Sequence, residues 1–181
     1  MSDPIDATTT LRRVLDIFPG AQRALFRRYH IGGCASCAFQ PDETLAGLCA
    51  RNNLDVAEVI AHLQTSHQQD EELQMAPADL AALRAAGQLR LVDIRSREEF
   101  EAAHIDGAVL LSQPVMQDIL AHWPRLGLMV ICDHRGQQSL DAAAYFAGQG
   151  FRNVRCLRGG IDAWSREMDP KISRYRLELS T

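Results

Sequence analysis

The stretch spanning residues 128–146 constrains this chain more than any other. Residues 128–132, Leu-Met-Val-Ile-Cys, are apolar at every position. A strand without polar alternation has both faces covered, as in the middle of a parallel sheet. Cys132 closes that strand. A polar turn follows, made of Asp133, His134, Arg135, Gly136, Gln137 and Gln138, and an alanine-rich helix begins at about Ser139 and stops at Gly150. A turn wound at a helix N-terminus aims successive backbone N–H groups at one point and forms a nest for an anion. A thiolate at the centre of that nest is stabilised, so the Cys132 thiol is expected to titrate below the free value of about 8.5. Such a cysteine is nucleophilic at neutral pH, and the same donors would hold the anion its reaction forms. Asp133 beside it is expected to point outward, because an inward carboxylate would raise the thiol pKa.

The surroundings extend the pattern. Further strands are expected at 89–93, 107–111 and 154–157, and helices at 77–86, 97–103, 116–122 and 161–166. Strands alternating with helices predict the α/β class, with a mainly parallel sheet covered on both faces. Upstream the chain is helical only. Leu11, Val14, Leu15 and Phe18 form an i, i+3, i+4, i+7 stripe after the capping threonines 8–10, and Pro19-Gly20 stops it. A second helix over 21–29 ends at Gly32-Gly33, and a third begins at Pro41-Asp42-Glu43 and carries Leu45, Leu48 and Cys49. Asp55 caps a fourth, with Val56, Val59, Ile60 and Leu63 on one face. The polar segment 62–74 reads as a linker or a helical extension. The expected domains are a small helical one over 1–65, a linker over 66–75 and the α/β domain over 76–181.

Composition narrows the function. The apolar set is 46% of the 181 residues and the charged set 23%, as in a globular protein with a real core. The longest apolar run, 126–132, is far short of the roughly 20 residues of a membrane helix. The first ten residues lack the basic and apolar regions of a secretory signal. Nineteen basic against 23 acidic residues disfavour a nucleic-acid binder. Five cysteines, at 34, 37, 49, 132 and 156, are an odd and sparse set that suits reduced, cytoplasmic thiols with chemical roles.

The pair Cys34-Ala-Ser-Cys37 follows His30-Ile-Gly-Gly. Three states suit it: a redox dithiol, a zinc or iron–sulfur site completed by Cys49 and His30, or inert thiols under a small bundle. Cys156 belongs to the core and His134 to a solvated loop, with a proton-donor role as the alternative.

Residues 89–165 resemble a single-domain rhodanese. The likeness rests on Leu91-Val-Asp-Ile-Arg95 with Glu98-Glu-Phe100, on His104-Ile-Asp-Gly-Ala108, on Cys132 with its loop and Ser139, and on Leu157-Arg-Gly-Gly-Ile-Asp-Ala-Trp164. Ala103 stands where the family's second motif has glycine. The resemblance implies a sulfurtransferase in which Cys132 accepts a sulfane sulfur as a persulfide and passes it to a second thiol. It implies scaffold roles for Asp93 and Arg95 and a tight turn at Gly159-Gly160. The usual loop is Cys-x-x-Gly-x-Arg-Ser. Here it is one residue longer, and Gln138 replaces the arginine. Wider rings of this fold act on phosphate or arsenate through Cys-x5-Arg. Without that arginine an oxyanion loses its bidentate partner, which weakens an arsenate-reductase or phosphatase role. A persulfide carrier or redox sensor without turnover is the other alternative.

Residues 8–63 resemble a small helical domain found beside hybrid-cluster proteins and at the start of iron–sulfur repair proteins. Val14-Leu-Asp-Ile-Phe-Pro19, Phe26, His30-Ile-Gly-Gly-Cys34, Cys37, Glu43-Thr-Leu45 and Leu54-Asp-Val56 carry that likeness. It implies disulfide exchange or redox partnering by Cys34 and Cys37, which would assist release of sulfur from Cys132. The expected partners are a small sulfur donor (thiosulfate, persulfide or polysulfide) and a thiol acceptor, with no cofactor, no nucleic acid and no membrane. The apolar helix faces of the small bundle leave room for a homodimer.

Overall fold

A computed structural model describes residues 5–32, 40–87 and 89–172. The chain divides into two compact units, Met1–Glu72 and Leu73–Thr181. Among the described residues no helix is long and apolar enough to cross a membrane.

The first unit is helical. Helix α1 (Leu11–Ile17) starts at Thr10, whose hydroxyl accepts from the Arg13 N–H, as the threonine run predicts. Helix α2 (Ala21–Tyr29) ends on His30 in the left-handed conformation, two residues before the first of the expected glycines. Helix α3 (Leu45–Arg51) begins later than Pro41 suggested. Thr44 is its cap, with its hydroxyl accepting from Gly47 N–H, while the carbonyls of Pro41 and Glu43 accept from Arg12 and Leu11 N–H. Those backbone bonds tie the segment to α1 and keep it out of a helix. Helix α4 (Val56–Leu73) continues through most of the polar segment, with Asp55 capping it by accepting from Glu58 N–H. Leu11, Val14, Leu25, Leu45, Leu48, Cys49, Val59 and Leu63 form the core of this unit. Within it, Arg23 pairs with buried Asp70 of α4, so this helix end is held by charge as well as by apolar contact.

Among the described residues the second unit holds a five-stranded, wholly parallel sheet. Its strands are β1 (Gln74–Met75), β2 (Arg90–Asp93), β3 (Ala108–Leu110), β4 (Met129–Cys132) and β5 (Val154–Leu157), in the order β1-β5-β4-β2-β3. β4 lies at the centre and is buried at all four positions, as its unbroken apolar run predicts. β1 is the strand that pattern does not reveal, since two residues hold no periodicity. It is recruited by pairing with β5 at Gln74↔Cys156.

Helices cover both faces. Met129 and Ile131 point toward α7 (Gln113–His122) and α8 (Gln138–Gly148), packing with Ile119, Leu140, Ala143 and Phe146. Val130 and Cys132 point the other way, toward α5 (Pro77–Ala85) and α9 (Gly160–Glu167), among Leu80, Ile161 and Trp164. The period of two along a strand therefore chooses which layer the terminal cysteine faces. α7 starts three residues earlier than expected because Ser112 caps it and Pro114 sits in its first turn. Helix α6 (Arg97–Ala102) opens with a reciprocal capping box between Ser96 and Glu99.

Candidate active site

Cys132 ends β4 at the carboxyl edge of the sheet, where open α/β sheets place their ligands. Strand register sets Asp93 of β2 directly beside it. The Asp93 carboxylate is fully buried and accepts from Arg95 through backbone N–H (3.0 Å), Nε (3.0 Å) and Nη2 (2.7 Å). Arg95 Nη2 also donates to the Ala103 carbonyl at 2.7 Å. These two residues form a buried, hydrogen-bonded ion pair beneath the cysteine. Such a pair holds geometry more than it adds net stability.

The loop after Cys132 is pinned from the other side. The Ile161 and Asp162 N–H groups donate to the Asp133 and His134 carbonyls at 2.9 and 3.2 Å. Gly160, at φ +60°, lies so close beneath that a Cβ there would stand 2.5 Å from the Asp133 carbonyl oxygen and 2.6 Å from the Arg135 nitrogen. Gly136, at φ +85°, lies against the Gly159 nitrogen, 2.7 Å from where its Cβ would be. Both positions need glycine, for left-handed backbone and for close approach. The tight turn expected at Gly159-Gly160 thus serves as the floor of the loop.

Asp133 points inward, contrary to the expectation from sequence. Only 3% of it is exposed. Its carboxylate accepts from the Gly136 N–H, from the Gln138 N–H at 2.8 Å and from the Ser139 hydroxyl at 3.1 Å. The loop does form an anion nest, and a carboxylate of the same chain occupies it. The physical reason is the start of α8: its first N–H groups need acceptors, and Asp133 is the nearest one.

The Cys132 thiol changes accordingly. Its side chain has no exposed surface. Burial pushes its pKa well above the ordinary thiol range. The Asp93 charge adds to that, Arg95 opposes it, Asp133 raises it further, and a hydrogen bond to Asp93 favours the protonated thiol. The expected depression is reversed first by burial and then by the two carboxylates that flank the sulfur. Above the loop lies a cleft of about 350 Å³. Ile94, Arg95, Ser96 and Glu99 line one side, and residues 133–135 with 137–138 the other. His134 is half-buried there, and Arg135, Gln137 and Gln138 are exposed. The β2–α6 connection is the part of the cleft that sequence reasoning missed as functional. The Ser96-x-x-Glu99 spacing marks a helix start, but nothing local says that this start faces the loop after Cys132.

Cys34 and Cys37 fall outside the described residues. Cys49 is buried in α3, where burial, with Asp55 second, raises its thiol pKa. Among the described residues no three His, Cys, Asp or Glu side chains converge as metal ligands. Cys156 faces the opposite side of the sheet from Cys132.

A central parallel strand ending in a cysteine, beneath a loop that begins a helix, defines an α/β protein with a thiol site at the sheet edge. The chain belongs to the rhodanese-like domain family: that family's profile matches residues 76–167, just over half of it. It is 38% identical over 92 residues to the thiosulfate sulfurtransferase GlpE of Pseudomonas entomophila (strain L48), covering 50% of this chain and 83% of that protein. The GlpE of Ectopseudomonas mendocina (strain ymp) is 34% identical over 91 residues, with 50% and 83% covered. Among solved structures, reduced Bacillus anthracis CoADR-RHD is similar in fold, with a TM-score of 0.51 at 18% identity, covering 66% of this chain and 21% of that one.

Proposed function

We propose that the protein is a sulfurtransferase in which Cys132 accepts a sulfane sulfur as a persulfide and yields it to a thiol. The observation that carries this is the placement of Cys132 at the carboxyl end of the central strand, under a loop that Gly136 and Gly160 shape and that opens α8. The names of the related thiosulfate sulfurtransferases support the reaction class. Because Cys132 rests buried and protonated, transfer requires the side chains over Sγ to part, with the backbone of the loop held in place by α9. The thiol proton then leaves with the departing group as the sulfane sulfur bonds to Sγ. An acceptor thiolate attacks the outer sulfur in the second half-reaction.

Intact mass spectrometry tests the assignment. Incubation with a sulfane-sulfur donor should add about 32 Da per sulfur to the wild type and nothing to Cys132→Ser, as a persulfide on a nucleophilic cysteine requires. Equal gain in both would sink it. We further propose that Cys34 or Cys37 attacks the loaded persulfide and that the pair closes to a disulfide, with sulfide released. Single-turnover sulfide release that is as fast in Cys34→Ser and Cys37→Ser as in the wild type would remove that step.

The complete burial of Cys132 favours one second assignment, a persulfide carrier or redox sensor. It would load once per chain and show negligible turnover with excess donor and acceptor.

A further inference from the structure

We propose that Asp133 sets the class of sulfur donor: with its carboxylate seated among the loop amides, the site takes sulfur from organic hydropersulfides and discriminates against dianionic thiosulfate. This rests on the persulfide chemistry of Cys132 proposed above.

Three observations carry it. Three donors of the loop are taken. Gly136 N–H, Gln138 N–H and Ser139 Oγ all donate to the one carboxylate, so an anion that enters at those groups meets a fixed negative charge in place of open donors. The loop is also tied down. The carbonyls of Asp133 and His134 are bonded to α9, and Gly136 and Gly160 pack on opposing backbone, so a second nest requires breaking those contacts. Finally, the nearest buried cation is committed, since Arg95 is bound bidentately to Asp93. At the position where the related loop has arginine this chain has Gln138.

The two donors differ in charge and in shape. From thiosulfate, a bond forms between Cys132 Sγ and the sulfane sulfur, and the S–S bond breaks with its electron pair on sulfite. The thiol proton leaves with that product. Two negative charges enter beside Asp133 and Asp93. From a hydropersulfide R–S–SH, the same Sγ–S bond forms and the donor S–S bond breaks. The leaving R–S⁻ takes the electron pair and then the thiol proton, giving R–SH. No net oxidation occurs in either case. The hydropersulfide brings at most one sulfur-borne charge, and Coulomb repulsion from each fixed carboxylate scales with that charge. The cleft of about 350 Å³ beside the loop is large enough to receive the organic group, and thiosulfate has none to place.

The test is single-turnover sulfur loading of the full chain, read by intact mass, with thiosulfate and with cysteine persulfide. Asp133→Asn removes the charge at constant shape. It should raise the thiosulfate-to-persulfide rate ratio about tenfold, the scale of one nearby charge in a partly shielded site. An unchanged or lowered ratio overturns the proposal. Circular dichroism reports whether the variant folds. If it does not, Gln138→Arg at the exposed loop position decides, with a selective gain for thiosulfate expected and equal effects on both donors overturning. Wild type that loads from neither donor would remove the Cys132 assignment and this proposal together. Loading with an unmoved ratio would remove only this one.

Discussion

Cys132 and Cys156 sit on neighbouring strands, both fully buried and neither disulfide-bonded, yet only one ends its strand under a polar loop. Cys156 pairs with Ile131 in register and points into the layer of Phe146, Val154 and Ile119. Cys132 is one residue further along its strand and points to the opposite layer, where the sheet ends and a polar loop folds over it. Asp93, Arg95 and Asp133 crowd that end with charge. Burial therefore does not separate a structural thiol from a candidate nucleophile. The charges and backbone donors around the sulfur do.

That contrast can be broken at several points. The largest effect is expected at Arg95, which is paired where water cannot replace it. Arg95→Met leaves the Asp93 carboxylate buried and unpaired, and should cost about 3–5 kcal/mol in chemical denaturation. A loss under about 1 kcal/mol would mean that the carboxylate finds solvent or protonates cheaply. Next comes Gly160→Ala. It puts a methyl group into the Asp133 and Arg135 backbone at a left-handed position, and should cost about 2–3 kcal/mol and slow sulfur loading of Cys132. Unaltered loading would show that the floor of the loop does not position it.

A smaller effect follows from titration. The folded state keeps the Cys132 thiol neutral at pH values where the unfolded chain ionises it. A raised folded pKa contributes stability below the unfolded value of about 8.5 that is lost as pH climbs toward the folded one. The thermal midpoint should therefore fall as pH rises above about 8.5, and fall less in Cys132→Ser. Parallel curves for the two proteins would contradict the raised value. The smallest effect belongs to the other thiol. Cys156→Ala removes one sulfur from a packed layer, should cost about 1 kcal/mol, and should leave loading of Cys132 intact. A loss of loading there would make the two faces of the sheet chemically coupled.

Much of this was legible in the residues. The unbroken apolar run 128–132 announces a central strand, and the polar turn before an alanine-rich helix announces its loop. The short edge strand β1 and the late start of α3 were not legible, because both are set by backbone bonds to distant segments. The orientation of Asp133 was the consequential miss. One residue after a buried cysteine, a carboxylate in an exposed turn and one folded into a nest have the same sequence.

The order of residues alone determined an α/β sheet with a cysteine at the end of its central strand, since periodicity and turn chemistry act over a few neighbours. Only tertiary structure decided what that cysteine feels. Strand register brought Asp93 alongside, the α9 turn pressed the loop into shape, and the open N–H groups of α8 drew Asp133 inward. Each of these is a contact between separate segments. Electrostatics at a buried sulfur depends on distances that no stretch of the chain encodes by itself.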